Sequence, residues 1–372
     1  MKKLNIVIIS GVIFPRIAPR AFRATELAKA FAKKSHNVTL ISSLGEYDYS
    51  NFQDQTGIIV KNLGTPYFAL RNSDGNIKVP FWKKIIIFLL MKPFYFPDIL
   101  LMNRSKKAIL KEDKIDLLIS IAIPYPIHWG LSFINKKNRN FNTWISDCGD
   151  PFMGNSVVKP FFYFKYLEKH WGNKTDFISV PVDEAKQAYY EEVADKIYVI
   201  PQGFDFSEVK LSEYSKNRIP TFLYAGLFYP EKRDPTNFLK HLASLDIDFK
   251  FIVYTSKTDL LKPFIEVLSD KLEIRESVDR ETLMMEMSKM DFIINITNSG
   301  TTAQVPSKLI DYCLSKRPIL EISSEFNNNE KANFENFLNE NYIDQKTIDN
   351  FEQYDSKNVA EEFLKLYKLK NE

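Results

Sequence analysis

The chain of 372 residues is poor in the side chains that build metal and redox centres. Its two cysteines, Cys148 and Cys313, lie far apart, with no C-x-x-C and no zinc-ligand spacing, which fits a reducing compartment. Its four histidines (His36, His128, His170 and His241) are scattered, and none forms an H-E-x-x-H or H-x-x-x-H pair. The formal net charge is only +3, too small to point to nucleic acid. Long apolar runs are also missing. The run from Ile85 to Met91 is seven residues, far short of the roughly twenty that a membrane span needs. The start, with Lys2 and Lys3 before an apolar stretch, has the look of a signal peptide, but Asn5 interrupts it and Pro15 and Arg16 end it, so it reads as a first strand.

What is present describes an ordinary globular chain: 45% apolar and 26% charged residues, at a length that favours two domains with a core each. Aromatics reach 14%, with 30 Phe and 18 Tyr. They either mark surfaces that stack on sugars or face a membrane, or reflect a compositional bias shared with Ile, Asn and Lys. Ile6 to Ile9 reads as a strand buried on both faces, followed by a helix from about Ala21 to Lys34 and a strand over Val38 to Ile41. That is the opening of a doubly wound α/β domain. Further buried strands are expected at 116–121, 143–147, 176–180 and 196–200, with helices at 161–172 and 184–190. The polar residues 206–219 read as a linker. A second series of strands and helices then runs from Thr221 to about residue 350, and a final helix is expected near Asn358 to Leu369. The aromatic, lysine-dotted segment Phe81 to Met102 reads either as an internal helix or as one lying on an anionic membrane surface.

The most informative stretch is Val305 to Leu314. Asp291 to Ile296 is a short apolar strand, 298–304 a small polar loop, and Ser307 an N-cap that opens a helix carrying Lys308 and Asp311. Free N–H groups at such a helix start, with the helix dipole behind them, favour an anion, and a carboxylate one turn on can accept from a ribose diol. The pattern suits a nucleoside diphosphate.

Several blocks, in order along the chain, resemble the GT-B glycosyltransferases, and more narrowly the retaining, metal-independent family 4 transferases of bacterial surface-polysaccharide assembly. Arg23, Glu26, Leu27 and Ala28 followed by His36-Asn37-Val38-Thr39-Leu40 resemble their first helix and second strand. Asp147 and Asp150-Pro151 resemble an acidic R-D-P-W-type block, Lys196 to Asp205 the signature at the domain junction, and Tyr224-Ala225-Gly226-Leu227 with Arg233-Asp234-Pro235 the glycine loop and basic pair that hold the donor diphosphate. Val305 to Leu320 resembles the P-S-K-x-x-[DE]-Y block. The chain departs from the pattern in three places. The first of two donor-site acids falls on Ala303, the paired glycines of the first loop are replaced by Ile17-Ala18-Pro19-Arg20, and the basic pair is reduced to Lys232 and Arg233.

The resemblance implies two Rossmann-like doubly wound domains facing across a cleft: an acceptor domain over 1–205, a linker over 206–219, a nucleotide-sugar domain over 220–350, and a C-terminal helix over 351–372 that returns to the first domain. It implies a transferase moving a hexosyl or N-acetylhexosaminyl group from a nucleotide sugar to a glycan or polyprenyl-diphosphate-linked acceptor. No cofactor and no metal are expected, and neither is nucleic acid. The expected location is the cytoplasm, peripheral to the inner face of the membrane through 81–102. His128 and Arg233 are the catalytic candidates: a histidine that touches the donor sugar or moves a proton, and a guanidinium that neutralises the leaving diphosphate. Gly226, Lys232, Arg233, Thr301, Thr302, Ser307, Lys308 and Asp311 are expected at the donor, and Arg20, Arg23, Asp147 and Asp150 at the acceptor. Each also has a plain structural reading: a packing histidine, an Asx-turn, or a solvated pair of Lys308 with Asp311. The rival functions are a nucleotide-sugar epimerase of the same fold and a donor-site-degenerate partner of a membrane assembly complex.

Overall fold

The computed structural model describes residues 2–155, 158–230, 232–297 and 307–371. The strands are β1 (Asn5–Ser10), β2 (Asn37–Ser42), β3 (Ile59–Asn62), β4 (Ile115–Ala122), β5 (Phe141–Cys148), β6 (Phe177–Val180), β7 (Ile197–Val199), β8 (Thr221–Ala225), β9 (Lys250–Tyr254), β10 (Leu272–Arg275), β11 (Phe292–Ile296) and β12 (Ile319–Ile322). The α-helices are α1 (Pro19–Lys33), α2 (Ser50–Thr56), α3 (Phe81–Phe94), α4 (Leu101–Ile109), α5 (Pro126–Ser132), α6 (Phe164–Lys174), α7 (Thr236–Ser244), α8 (Ile265–Leu268), α9 (Arg280–Met287), α10 (Ser307–Leu314), α11 (Asn328–Leu338) and α12 (Ser356–Asn371).

The chain separates into two compact units, one made of Met1–Asp205 with Glu352–Glu372, the other of Phe206–Phe351. The first holds a seven-stranded sheet in the order β3-β2-β1-β4-β5-β6-β7, the second a five-stranded sheet in the order β10-β9-β8-β11-β12. Every pairing in both sheets is parallel. Parallel strands need helical crossovers that cover both faces, which is why the central strands are continuous apolar runs rather than alternating ones.

In the first unit one face packs β1, β2 and β4 against α1 and α12, through Leu27, Phe31, Val359, Phe363 and Leu364. The other face packs Trp129, Trp144, Phe164 and Trp171 under α4, α5 and α6. The C-terminal helix thus closes the core of the first unit. The second unit has its own core around Phe222, Phe238, Phe251, Phe292 and Phe334. Residues 206–219, read as a linker, carry no helix or strand but lie along the second unit: Tyr214 Oη donates to Asp291 at 2.8 Å, Ser212 N to Ser288 Oγ at 2.9 Å, and the Arg317 guanidinium sits 3.4 Å from the Tyr214 ring centre.

Two local expectations change. The helix expected over 184–190 is a 3-10 turn, Asp183–Ala188. The segment from Phe81 breaks after Phe94, where Pro93 ends the hydrogen-bond ladder and Tyr95 turns left-handed at φ 51°.

Candidate functional site

In an open parallel sheet, ligands bind beyond the carboxyl ends of the strands, where the strand order reverses. In the second unit that point lies between β8 and β11. The two elements singled out in the sequence leave from it. After β8, Gly226 adopts φ +142°, a region that favours glycine. The chain then makes a tight turn in which Tyr229 and Arg233 exchange backbone hydrogen bonds at 3.1 and 2.9 Å. After β11 comes α10, tied to the end of β8 because Tyr312 Oη donates to Ala225 O at 2.8 Å and Ala225 N donates back at 3.2 Å. The Arg233 turn and the Asp311 helix therefore meet at one place.

Lys308 is the centre of that place. Its Nζ is buried and has no hydrogen-bond partner among the described residues. It lies 5.0 Å from the Tyr224 ring centre and 5.8 Å from that of Tyr312, so two π faces supply part of what water would. Burial, reinforced by the nearby Arg233 charge and opposed by Glu321, pushes the ammonium down to about 7. Arg233 reaches Leu227 O with Nη1 at 3.4 Å and also bonds the buried Tyr224 hydroxyl. Glu321 on β12 accepts from Asn295 Nδ2 at 2.9 Å and pairs with Lys346 at 3.1 Å. Among the described residues the place thus gathers two cations, Lys308 and Arg233, and the Lys308 ammonium lacks a hydrogen-bond partner, the reverse of what a site for a cation would show. Lys232 is exposed on the same turn.

Asp311 does not pair with Lys308. One of its oxygens accepts from Arg280 Nε at 2.9 Å and Nη2 at 2.7 Å, and burial raises its carboxyl against that pull. Sequence reasoning missed Arg280, because it stands on α9, thirty-one residues away. Thr301 and Thr302 lie outside the described residues. Ser307, expected as the N-cap, is the first residue of α10 itself.

In the first unit the candidates divide. His128 is fully buried, its Nδ1 sharing a hydrogen with Ser120 Oγ at 2.7 Å and its ring stacked on Trp171 at 5.1 Å. Burial lowers it to about 3, so it stays neutral at ordinary pH. The histidine expected to be catalytic is thus packed inside the first unit in this structure. Arg23 and Asp147, both expected at the acceptor, are buried against each other. They form a buried two-point pair at 2.8 and 3.2 Å, Arg23 also donates to Pro201 O and Ile200 O, and Ser179 donates to Asp147. With both carboxylate oxygens engaged, Asp147 has little left for a sugar hydroxyl. Arg20, one turn earlier on α1, is partly exposed, 3.6 Å from Asp147, and packs where any side chain at Gly149 would stand. Asp150 is exposed just beyond β5, its carbonyl accepting from Tyr125 Oη. Both remain at the carboxyl edge of the first sheet, where a small cavity between the ends of β1, β2 and β4 is lined by Gly11, Ser43, Arg71, Asp98 and Pro124.

No family model matches the chain, and no curated protein matches its sequence. Solved structures match its fold over the full length. A glycosyltransferase from Rickettsia africae superposes with a TM-score of 0.62 over 100% of both chains at 13% identity. The lipopolysaccharide outer core galactosyltransferase WaaB, in its apo form, gives 0.59 over 98% of this chain and 99% of its own at 11% identity. Anabaena HepE in complex with UDP gives 0.56 over 98% and 100% at 9% identity. Identities this low speak for architecture alone. With two parallel-sheet α/β units and full-length superposition on these proteins, the chain has the GT-B glycosyltransferase fold.

Proposed function

We propose that the chain is a glycosyltransferase that moves a hexosyl or N-acetylhexosaminyl group from a nucleotide sugar, held by the second unit, to a glycan or lipid-linked acceptor held by the first. The observation that carries this reading is Lys308: a buried ammonium, with no hydrogen-bond partner among the described residues, beside Arg233 at the reversal point of a parallel sheet. A diphosphate supplies what that cation lacks. Charge-assisted bonds from Lys308 and Arg233 would strengthen as the glycosidic bond breaks and negative charge gathers on the leaving group, which is where electrostatic stabilisation lowers a barrier. Lys232 would add an exposed cation on the same turn, Gly226 would let the backbone approach, and the Asp311–Arg280 pair would read the ribose hydroxyls. Catalysis in this scheme rests on positioning and leaving-group stabilisation, and the resemblance implies retention without a metal. Arg20 and Asp150 are the acceptor-side groups, and residues 81–102 the part that meets a membrane.

HepE is also solved with UDP-glucose, and a TarM mutant with Fondaparinux, alpha-GlcNAc-glycerol and UDP, so UDP is the first donor to try. A thermal-shift panel of UDP-, GDP-, TDP- and CMP-sugars should show one nucleotide that raises the melting temperature. Lys308→Met should weaken that ligand by about ten- to a hundredfold, the range for losing a hydrogen bond to a charged group. A panel in which no nucleotide binds would end the proposal.

A further inference from the structure

The first unit carries a surface that its own fold leaves uncovered. Along α3, Ile87 alone is buried, while the opposite face presents Phe81, Phe88 and Leu89 at 78%, 75% and 63% exposure. A second segment, just before and within the first turn of α6, presents Phe162 at 71% and Tyr166 at 64%. The two segments are distant in sequence but joined in space: Tyr163 Oη donates to Pro93 O at the end of α3, and Tyr95 packs edge-on against Phe164. Monomeric proteins rarely leave so many large apolar side chains contiguous and wet.

Charge identifies what covers them. α3 and residues 158–166 contain five lysines (Lys83, Lys84, Lys92, Lys159 and Lys165) and no Asp or Glu, although the whole chain is nearly neutral. Aromatic rings ringed by lysines, with no carboxylate among them, complement an anionic lipid surface, where rings enter the headgroup layer and ammonium groups meet phosphate. α3 cannot span: its 14 residues reach about 21 Å against a hydrocarbon core of about 30 Å. Paired with Asp98–Ile109 it would be long and apolar enough, but the two are bent by 71° and Leu101, Ser105 and Ile109 are committed to the core.

We propose that α3 and residues 158–166 together form a single docking surface for an anionic bilayer. The second segment links the carboxyl end of β5 to α6, so the surface borders the edge of the first sheet that carries Arg20 and Asp150. A lipid-borne acceptor would then reach that edge without leaving the membrane. The docking deepens the membrane contact proposed above for 81–102, and this last step rests in addition on the transferase reading, whereas nucleotide binding by the second unit is independent of both.

The test is flotation of the full chain with vesicles of phosphatidylcholine alone or with about 30 mol % phosphatidylglycerol. The protein should float with the anionic vesicles and bind the neutral ones about tenfold less or weaker, since each lysine near such a surface adds about 1 kcal/mol. Phe88→Glu with Leu89→Glu, and separately Phe162→Glu, should each abolish flotation and leave the melting temperature unchanged. Lys84→Glu with Lys92→Glu should remove the preference for anionic lipid. Absence of flotation by the unaltered protein, or flotation that survives both apolar-to-acidic variants, would overturn the proposal. So would a dimer in light scattering that the Phe88 and Leu89 changes dissolve, because the surface would then belong to a second copy. Nucleotide-induced thermal shifts read the other hypothesis separately: docking can fail while nucleotide binds, and the reverse.

Discussion

At the scale of single residues, Lys308 joins stability to ligand binding. An ordinary lysine titrates near 10.4, whereas this one is pushed to about 7. Between those values the unfolded chain holds a proton that the folded chain has shed, so stability should rise as pH climbs from about 7 towards 10, and the full desolvation cost is present below 7. Lys308→Met should flatten that rise and make the ligand-free protein as stable or more so at pH 7, which urea unfolding at several pH values measures. Nucleoside diphosphate should return the charge. Binding near pH 8 should therefore take up a proton, and affinity should fall as pH rises above 7, by up to about tenfold per unit. Calorimetry in buffers of different ionisation enthalpy reads both. Asp147 behaves the opposite way. Burial alone would raise its carboxyl, but Arg23, Arg20 and the Ser179 hydroxyl outweigh that and hold it below the usual range. Its contribution is complete above the ordinary aspartate range near 4 and is lost as pH falls through the lowered value. Asp147→Asn leaves Arg23 buried without its counter-charge and should cost about 3–5 kcal/mol in denaturant unfolding. The sequence showed these side chains but not their depth. His128 and Arg23 sit in blocks that look like site motifs, yet the first is enclosed by Trp171, Ser120 and Cys148 and the second by a carboxylate and two carbonyls. Burial of this kind comes from partners far along the chain, which a local pattern does not encode.

At the scale of elements, legibility followed how much of the signal is local. Strands sandwiched between helices must be apolar on both faces, so Ile6 to Ile9 and Phe292 to Ile296 announced themselves. The loop–helix at Lys308 was legible for the same reason: a short apolar strand and a periodic helix bracket it. The end of α3 was missed although Pro93 and Pro97 were in plain view, because the apolar character continues past the break. The pairing of α9 with α10 through Arg280 and Asp311 was not legible at all, since nothing in either helix names the other. Gly226 is the tightest element-level constraint at the donor side. Its φ of +142° strains any other residue, so Gly226→Ala should cost about 1–3 kcal/mol and weaken nucleotide binding together with it. The pair of readouts, unfolding and calorimetry on one variant, separates this from Lys308→Met, where stability and affinity move in opposite directions.

At the scale of the whole molecule, the decisive fact is that the chain's last helix belongs to its first unit. Val359, Ala360, Phe363 and Leu364 fill the face against α1, Lys33 pairs with Asp205 at 2.5 Å, and Lys34 pairs with Glu361. Each of the three hydrophobic clusters draws its residues from one unit alone. Cores that share no side chains can melt separately, so calorimetric unfolding should resolve two transitions, and a single two-state fit should fail. The transitions can be assigned by perturbing one core at a time. Phe363→Ala empties a fully buried site and should lower one transition, by about 3–5 kcal/mol of stability, leaving the other in place. A nucleoside diphosphate should raise the other transition and not the one that Phe363→Ala lowers, by the mass-action term that grows with ligand concentration over Kd. Should nucleotide raise the transition that depends on Phe363, the donor would belong with the N-terminal sheet, and Lys308 would need another explanation for its buried charge.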